Sequence, residues 1–235
     1  MFIGLLRILF HPFYLILLWP LNLAEYFRCP GLYSDELYLF LFYFFKFSLK
    51  EYEKEKETII QNWRSSKELI QLEKESSGLT YGELMYASLR RAMKYVTINE
   101  NSIFLDLGCG KGKLVFFVRQ CYNIPSIGID IIPTFIKTAQ HRVTNKKYKA
   151  IRFIEQDFLE HKLPPATIVL VSATCMNDHD IQTLKQHFNA LDPGAYVLST
   201  SSPIEMPDFK LIKELMVPFT WGWGHIYVQQ KTSLL

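Results

Sequence analysis

The stretch "IFLDLGCGKG", residues 103–112, decides the fold of this 235-residue chain. Its first five residues are apolar except for Asp106, as expected for a strand buried on both faces of a parallel sheet. The glycines that follow permit a tight turn with positive φ and a close approach of the backbone to a ligand. The apolar run "KLVFFVRQCY", residues 113–122, comes next. The stretch therefore predicts a strand, a glycine turn and a helix.

Alternating strands and helices continue along the chain. Apolar runs at "SIGIDI", "AIRFIEQ", "TIVLVSA" and "AYVLST" predict four further strands, and amphipathic runs predict helices among them. We expect Pro133 at the start of one helix and Asp178 as the cap of another. Two runs that flank "TWGWG", residues 220–224, predict an antiparallel pair at a sheet edge. The sequence therefore predicts an α/β domain with a largely parallel, Rossmann-like sheet and a C-terminal edge hairpin.

Composition limits the classes of partner. The net charge of +3 and the pI of about 8.5 are too small to indicate binding to nucleic acid, and we expect no nucleic-acid partner.

The six histidines show no metal-ligand spacing, so we predict no metal. The four cysteines lack any paired spacing, and we expect them to be reduced thiols. They are Cys29, Cys109, Cys121 and Cys175.

The first 49 residues differ in character from the rest. Residues 2–23 are almost wholly apolar, and about 20 such residues cross a bilayer core as a helix. Residues 37–49 form a second, shorter apolar run that fits an interfacial helix better. The sequence has no basic N-region or small-residue cleavage site, so we expect the segment to be retained. A buried N-terminal hairpin packed on the domain is the alternative.

Charges beyond the first apolar run predict its orientation. Arg28, Lys46 and Lys50 follow the run, which places the body of the protein on the cytoplasmic side of a membrane. Acidic and basic residues then alternate, as is typical of a charged helical linker. We therefore expect three parts: a membrane-associating segment at residues 1–49, the linker at 50–79, and a catalytic domain at 80–235.

Polar residues at the carboxyl ends of the predicted strands are the candidates for a ligand site, because ligands bind there in parallel sheets. The glycine turn has three interpretations. A phosphate-binding P-loop requires Ser or Thr after its lysine, whereas Lys113 precedes Leu114. A dinucleotide fingerprint requires GxGxxG, whereas residues 108–112 have the pattern GxGxG behind an acid. The third interpretation is a site for S-adenosylmethionine.

The chemistry of S-adenosylmethionine fits the glycine turn. The ligand has no phosphate, so a basic loop is not required. It carries a cationic sulfonium and an ammonium, and Asp106 can stabilise that end directly or through water. Gly108, Gly110 and Gly112 provide a tight turn around the methionine portion.

Two further acids extend the pattern to successive strands. Asp130 closes the second strand and is placed to accept hydrogen bonds from both ribose hydroxyls. Asp157 follows the third strand, where it can accept from the adenine amino group while Phe158 contacts the ring face. Alternatively, Asp157 caps a turn and Asp130 caps a helix. The run "VSATCMND" after the fourth strand lacks an Asn/Asp-Pro-Pro-aromatic motif, which argues against methylation of bases or glutamine.

Several motifs together resemble a known family. They are "TYGEL" at residues 80–84, the glycine turn, "GIDIIP", "QDFLE" and "FTWGWGHIYVQ". These motifs are similar to the disruptor-of-telomeric-silencing family, the non-SET histone-lysine methyltransferases, and the resemblance covers residues 80–231. It implies the class I methyltransferase fold, S-adenosylmethionine as cofactor and a protein lysine as methyl acceptor.

Individual positions carry over from this resemblance. Tyr81, Gly82 and Glu83 match the loop that covers the methionine moiety, and Lys113 stands where the family usually has glutamine. Ser172 occupies the position of an asparagine near the methyl group. The resemblance thus implies that Tyr81, Glu83 and Ser172 lie beside the reacting groups.

Aromatic residues can line an apolar channel that lowers the pKa of an acceptor lysine. Tyr81, Trp221, Trp223 and Tyr227 are candidates, with core packing or an edge-strand surface as the alternative for each. Leu84 stands where the family has a hydroxyl residue.

These features predict a monomeric, membrane-tethered protein-lysine methyltransferase. Its partners would be a protein substrate and, through the N-terminal segment, membrane lipid. Two alternatives remain open: a methyltransferase that acts on a small molecule or a lipid, and a non-catalytic membrane module that binds S-adenosylmethionine. The apolar N-terminus, together with Ser172 and Ala173 in place of paired asparagines, motivates the first alternative.

Overall fold

The computed structural model describes residues 25, 28, 84–146, 148–173, 176–219 and 222–232. Apart from Glu25 and Arg28, the predicted apolar segment and linker lie outside these residues, and so do Tyr81 and Glu83. Among the helices within the described ranges, none is both long enough and apolar enough to span a membrane.

A seven-stranded mixed sheet organises the domain. Its strand order is β3-β2-β1-β4-β5-β7-β6, in which the first five strands are parallel and β7 is antiparallel to both β5 and β6. The strands are β1 (Phe104–Leu107), β2 (Ser126–Asp130), β3 (Ile151–Glu155), β4 (Ile168–Ser172), β5 (Tyr196–Thr200), β6 (Phe209–Phe219) and β7 (Gly222–Lys231). The predicted Rossmann-like α/β sheet with an antiparallel edge hairpin is confirmed.

Helices cover both faces of this sheet. They are α1 (Tyr86–Met93), α2 (Lys113–Tyr122), α3 (Pro133–Lys146) and α4 (Asp178–Asn189). Because side chains alternate along a strand, Phe104 shares a face with Asp106, and Leu105 lies on the other face. The face of Phe104 packs against α1 and α2. The face of Leu105 packs against α4 through Leu184 and Phe188.

The first helix lies against β6, which is an edge of the sheet. The Ser88 hydroxyl donates to the carbonyl of Pro218 at 2.7 Å, and the Arg91 guanidinium donates to the carbonyl of Met216 at 3.1 Å. Leu84 forms an isolated antiparallel bridge with Phe219. An edge strand exposes unpaired backbone groups, and these contacts satisfy part of them.

The start of α4 corrects one sequence prediction. The N-cap is Asn177, and Asp178 is the first helical residue. The Asn177 side chain accepts from the backbone N–H of Asp180 at 2.9 Å, and the Asp180 carboxylate accepts from the N–H of Asn177 at 3.3 Å. This reciprocal capping box needs an acid three residues after the cap, which Asp180 provides for Asn177. Pro133 opens α3 as predicted.

The cysteines correct a second prediction. We expected reduced thiols, but Cys121, near the end of α2, is disulfide-bonded. Cys109, in the glycine turn, is free and buried, as expected. Spacing along the sequence did not reveal the disulfide, because folding brings together cysteines that are far apart in the chain.

Candidate active site

The glycine turn lies at the carboxyl end of β1, where it joins α2. Gly108, Gly110 and Gly112 have φ values of +79°, +54° and +79°, in the left-handed region that favours glycine. The backbone N–H groups of Gly108 and Cys109 both donate to the carbonyl of Ile129 at 2.9 Å. These two bonds hold the turn against the end of β2.

The two ends of the turn differ in the space around them. A Cβ at Gly108 would meet nothing within 4 Å, so this position borders open space. A Cβ at Gly112 would lie 2.2 Å from Cζ of Phe153, a side chain of the core between α2 and α3. The turn is thus packed on the core at one end and accessible to a ligand at the other.

The Asp130 carboxylate braces the turn from the end of β2. Its Oδ2 accepts from the N–H of Gly110 at 2.7 Å, and its Oδ1 accepts from the N–H of Ile132 at 2.9 Å. Burial raises the pKa of Asp130, and these backbone hydrogen bonds oppose the rise. Each carboxylate oxygen has a further lone pair, so contact with ribose hydroxyls stays compatible with this brace.

The Asp106 carboxyl is the second buried acid of the site. Its residue is 5% exposed, in the middle of β1, and pairs in register with Gly128 and Leu170. Burial, with the charge of Asp130 adding to it, raises the pKa of Asp106 to about 8. Within the described part of the chain, no hydrogen bond reaches this carboxyl. A buried carboxyl with a raised pKa and no hydrogen bond is suited to a cationic ligand, because a nearby positive charge favours the ionised carboxylate.

Asp157 and Phe158 follow β3. The Oδ1 of Asp157 accepts from the N–H of Leu159 at 2.8 Å, so one oxygen caps the turn, as the alternative interpretation held. Phe158 is half-buried and packs against the core on the α4 side of the sheet. An adenine contact by either residue stays a prediction.

Two lysine ammonium groups lie beside aromatic rings near the turn. Nζ of Lys113 lies 4.8 Å from the ring centroid of Tyr86, which stacks on Phe117 at 5.0 Å. Nζ of Lys111 lies 4.9 Å from the ring centroid of Phe135, and burial lowers the pKa of Lys111 to about 7. Sequence reasoning missed Lys111 and Tyr86. The position of Lys111 inside the glycine turn was the available signal for it.

Ser172 ends β4 and is exposed. Its Oγ accepts from Oγ1 of Thr200, at the end of β5, at 3.2 Å. Since Leu170 pairs with Asp106, the strand alternation places Ser172 on the same face of the sheet as Asp106. The structure thus brings these three polar residues to one face, with Ser172 and Thr200 at its carboxyl edge. Across the described residues, no group of His, Cys, Asp and Glu is arranged to hold a metal ion.

The position of Tyr227 does not fit the predicted acceptor channel. Tyr227 pairs with Ser199 of β5, so its side chain lies on the α4 face, opposite to that of Asp106. It is also the register partner of Glu214 on β6. Trp223, on the same face of β7, is 62% exposed, and Trp221 lies outside the described residues. Tyr227 and Trp223 therefore lie on the α4 face of the C-terminal hairpin, on the opposite side of the sheet from Asp106.

Sequence comparison finds relatives among protein methyltransferases. Over 136 residues, the chain is 28% identical to the Drosophila melanogaster "Histone-lysine N-methyltransferase, H3 lysine-79 specific"; the match covers 52% of this chain and 7% of that protein. Over 86 residues, it is 28% identical to the "Ribosomal protein L11 methyltransferase" of Paraburkholderia phymatum, covering 35% of this chain and 29% of that protein. The chain thus spans less than a third of the length of either relative.

Solved structures share the fold. An RNA methyltransferase from Salinibacter ruber in complex with S-adenosyl-L-homocysteine matches with a TM-score of 0.52 at 20% identity, over 63% of this chain and 92% of that one. TrmN from Thermus thermophilus matches with a TM-score of 0.54 at 16% identity, over 63% of this chain and 49% of that one. At sequence identities of 20% and 16%, this structural similarity shows that the chain shares their fold.

A family model described as "Methyltransferase domain" matches residues 98–231, which is more than half of the chain. The match begins before β1 and ends at the last residue of β7, so it covers the whole sheet. It also covers every described residue of the predicted cofactor site. The predicted cofactor, S-adenosylmethionine, is the methyl donor whose demethylated form the Salinibacter enzyme holds. The chain belongs to the methyltransferase domain family.

Proposed function

We propose that this methyltransferase transfers a methyl group from S-adenosylmethionine to a lysine amine of a protein, at a membrane. The observation that carries the use of this donor is the buried Asp106 carboxyl, which has no hydrogen bond within the described residues and stands two positions before the open end of the glycine turn. The acceptor and the membrane attachment rest on separate observations, given below.

The residues around the turn fit the amino acid end of S-adenosylmethionine. That end carries an ammonium and a carboxylate, next to the sulfonium. Asp106 supplies a negative charge for the cationic groups. The first turn of α2 has Gly112 as N-cap and no side-chain cap, so its backbone N–H groups are suited to the carboxylate. The ammonium of Lys113 adds a positive charge at the same helix end.

When bound, S-adenosylmethionine supplies an electrophilic methyl group, which an unprotonated amine accepts by in-line displacement. The chain mainly aligns the acceptor with the donor and excludes water. The hydroxyls of Ser172 and Thr200 lie together at the carboxyl edge, on the face of Asp106, and provide hydrogen-bonding groups that orient the acceptor amine. Tyr81 and Glu83 precede Leu84 in sequence; their roles in covering the methionine end and orienting the acceptor stay predictions.

Protein as the acceptor class is supported by the relatives and by the family resemblance. The names of the two relatives specify a histone lysine and a ribosomal protein. The resemblance over residues 80–231 points to lysine within that class. The test is incubation of the full chain with methyl-labelled S-adenosylmethionine and with separated membrane-protein, soluble-protein and lipid fractions. We expect label on a lysine of a membrane protein, located by the mass shift of a peptide.

The label fractions also separate the alternatives. Label confined to lipid or to small molecules would overturn the protein acceptor and favour the small-molecule or lipid alternative. Binding of S-adenosylmethionine without transfer to any fraction would favour the non-catalytic module.

Membrane attachment is supported by the apolar residues 2–23. A contact just after them joins the chain there to the catalytic domain. Glu25 is helical, 1% exposed, and forms an ion pair with Arg90 of α1. This buried ion pair holds the chain at Glu25 on α1. We propose a monomer with its catalytic domain on the cytoplasmic face. Protease protection of sealed vesicles tests this: cleavage of the domain only after detergent lysis would place it on the other side.

A further inference from the structure

The exposed apolar side chains of the described residues gather at one edge of the sheet. Among these residues, four large apolar side chains are exposed: Tyr95 (40%), Leu211 (46%), Met216 (56%) and Trp223 (62%). Leu211 and Met216 belong to the edge strand β6, Trp223 belongs to its partner β7, and Tyr95 follows α1, which lies against β6. Scattered apolar residues need no explanation, but a group at one edge indicates an interaction surface.

The same edge is strongly basic. Residues 84–95 contain three cationic side chains and no acid, and β6 contains two cationic side chains and one acid. Glu25 pairs with Arg90, so these 23 residues together with Glu25 carry a net charge of +3, which equals that of the whole chain. The exposed cations are Arg91, Lys94, Lys210 and Lys213.

Cations and apolar groups occupy the two faces of this edge: the register places Lys210 and Lys213 on the α1 face, and Leu211, Met216 and Trp223 on the α4 face. Nζ of Lys213 lies 5.7 Å from the ring centroid of Tyr95. The Arg91 guanidinium donates to the backbone carbonyl of Met216, whose side chain is exposed. Long cationic side chains can cover apolar surface with their stems while their charges stay in water. This is the composition of a surface that lies at the interface of an anionic membrane, with aromatic and apolar groups at headgroup level and cations among the phosphates.

The N-terminal contact sets this edge near the proposed membrane segment. Arg90 binds Glu25, which stands two residues after the end of the apolar run 2–23. Helix α1 thus contacts that chain end through Arg90 and the edge strand β6 through Ser88 and Arg91.

We propose that a basic edge, formed by Tyr95, Leu211, Met216 and Trp223 with Arg91, Lys94, Lys210 and Lys213, lies on the anionic surface of the bilayer. The proposal rests on the membrane attachment proposed above and adds an orientation to it.

This orientation narrows the substrate class. Thr200, at the carboxyl end of β5, pairs with Ile226 of the antiparallel β7. Trp223 comes three residues before Ile226, so it lies beyond that end, on the opposite face of the sheet from Thr200. The basic edge therefore reaches past the rim that carries Ser172 and Thr200. With this edge on lipid, the rim is held at headgroup level, and the acceptor is a lysine close to the membrane surface.

The test uses the full chain in phosphatidylcholine vesicles with and without phosphatidylserine, each made with brominated acyl chains. Bromine quenches tryptophan fluorescence at short range, and the difference between the wild type and Trp223→Phe isolates the signal of Trp223 from that of the other three tryptophans. We expect quenching of Trp223 on the anionic vesicles of at least twice that on neutral ones. We also expect the excess to fall when salt is raised from about 0.1 to 1 M, because surface charges are then screened.

Charge reversal provides the matched comparison. Lys210→Glu with Lys213→Glu should abolish the excess quenching of Trp223 while the protein still sediments with the vesicles. The control is Lys137→Glu with Arg152→Glu, two exposed cations on α3 and on the opposite edge strand β3, which should leave the excess unchanged. Circular dichroism verifies that both pairs fold.

The outcomes separate this proposal from the attachment on which it rests. Protein that sediments with vesicles but shows equal Trp223 quenching on neutral and anionic lipid would overturn the basic edge and leave the attachment intact. Protein that sediments with neither vesicle would overturn both.

Discussion

Asp130 holds Gly110: the carboxylate at the end of β2 accepts the N–H of the middle glycine of the turn after β1 at 2.7 Å. Its other oxygen accepts from Ile132, at the start of the next loop. One side chain thus joins the two loops that border the cofactor site. The acid predicted to bind ribose also shapes the turn that is predicted to bind methionine.

Because Asp130 has this double role, we predict that its removal lowers both the stability of the protein without cofactor and the affinity for S-adenosylmethionine. Asp130→Ala leaves two buried N–H groups without an acceptor, which costs on the order of 1–3 kcal/mol each in the free energy of unfolding. We expect lower resistance to urea and a loss of affinity for S-adenosylmethionine of at least about tenfold. Glu155→Ala, at the exposed register partner, is the control. Unchanged stability and affinity in Asp130→Ala would contradict both roles.

Gly108 of the glycine turn can be compared with Gly194, a glycine before β5 that has a similar left-handed backbone. Gly108 and Gly194 have φ values of +79° and +89°, and a Cβ at either would meet nothing within 4 Å. Alanine at either position should cost about 1–2 kcal/mol in unfolding free energy from the left-handed backbone alone. Gly108→Ala should in addition abolish S-adenosylmethionine binding in calorimetry, and Gly194→Ala should not. Equal affinities in the two variants would show that the open space at Gly108 is not the ligand site.

Gly112 should respond differently from Gly108. A Cβ there would lie 2.2 Å from Phe153, so alanine must displace a core ring as well as strain the backbone. We expect Gly112→Ala to lower the unfolding free energy by about 2 kcal/mol more than Gly108→Ala, since overpacking typically costs 1–3 kcal/mol. Urea unfolding of the two variants, followed by circular dichroism, measures the difference. Equal losses would argue against tight packing at this end of the turn.

Asp106 should make stability depend on pH in the direction opposite to that of most acids. Its pKa rises from 3.8 to about 8 on folding, so the folded chain binds this proton more tightly than the unfolded chain. The resulting stability is fully present below about pH 4 and is lost as the pH rises through 8. Asp106→Asn should therefore be more resistant to urea than the wild type at pH 8, by about 1–3 kcal/mol, with a smaller gain at pH 5. A variant that is less stable at both pH values would contradict the raised pKa.

The same group should couple ligand binding to proton release. A cation beside Asp106 favours the ionised carboxyl, so binding must expel a proton at pH values below 8. We expect the affinity for S-adenosylmethionine to rise with pH between 6 and 7.5, by at most tenfold per unit. Calorimetry in two buffers with different ionisation enthalpies should detect nearly one proton released per ligand in the wild type and fewer in Asp106→Asn. Equal proton release in the wild type and in Asp106→Asn would show that the released proton comes from a group other than Asp106.

The Glu25–Arg90 ion pair predicts how strongly the N-terminal helix is held. Removing one partner of a buried pair leaves an uncompensated charge and typically costs 3–5 kcal/mol. Glu25→Gln should therefore expose the bond after Arg28 to trypsin, because Arg28 and Arg90 both pair with the Glu25 carboxylate. Arg90→Met in the same chain should restore part of the protection, since it removes the cation that faced the Glu25 carboxylate. Additive effects of the two changes would contradict a direct interaction.

Much of the fold was predictable because strands buried on both faces are continuous apolar runs. "IFLDL" and "TIVLVSA" show this pattern, and both form central parallel strands. The antiparallel hairpin was predictable from the runs around "TWGWG". Strand order at the edge, with β7 between β5 and β6, depends on long-range pairing that no local pattern encodes.

The site was predictable in its residue types but not in its contacts. Spacing placed Asp106 and Asp130 on neighbouring strands, as they are, with Asp130 at the end of β2 and Asp106 one residue before the end of β1. The hydrogen bond from the Gly110 N–H to Asp130 cannot be inferred from spacing, and the absence of a described hydrogen bond to the Asp106 carboxyl cannot either. Both features depend on the three-dimensional path of the glycine turn. The face on which Tyr227 lies could not be predicted, since it follows from the register of Tyr227 with Ser199. The position of Asn177 as cap was missed by a single residue.

The bridge between Leu84 and Phe219 has a consequence for synthesis on the ribosome. Helix α1 is the first described element of the domain, and the strand that supports it, β6, is next to last. About 135 residues separate the two partners, so closing this contact requires nearly the whole chain and carries the entropy of a large loop. The parallel strands β1 to β5 can pair while the chain is still being made, but α1 cannot make its contacts with the edge strand until β6 has left the exit tunnel. A chain that stops before residue 209 would thus lack the edge contacts of its own first helix, and we expect the nascent domain to become competent for cofactor only at the end of translation.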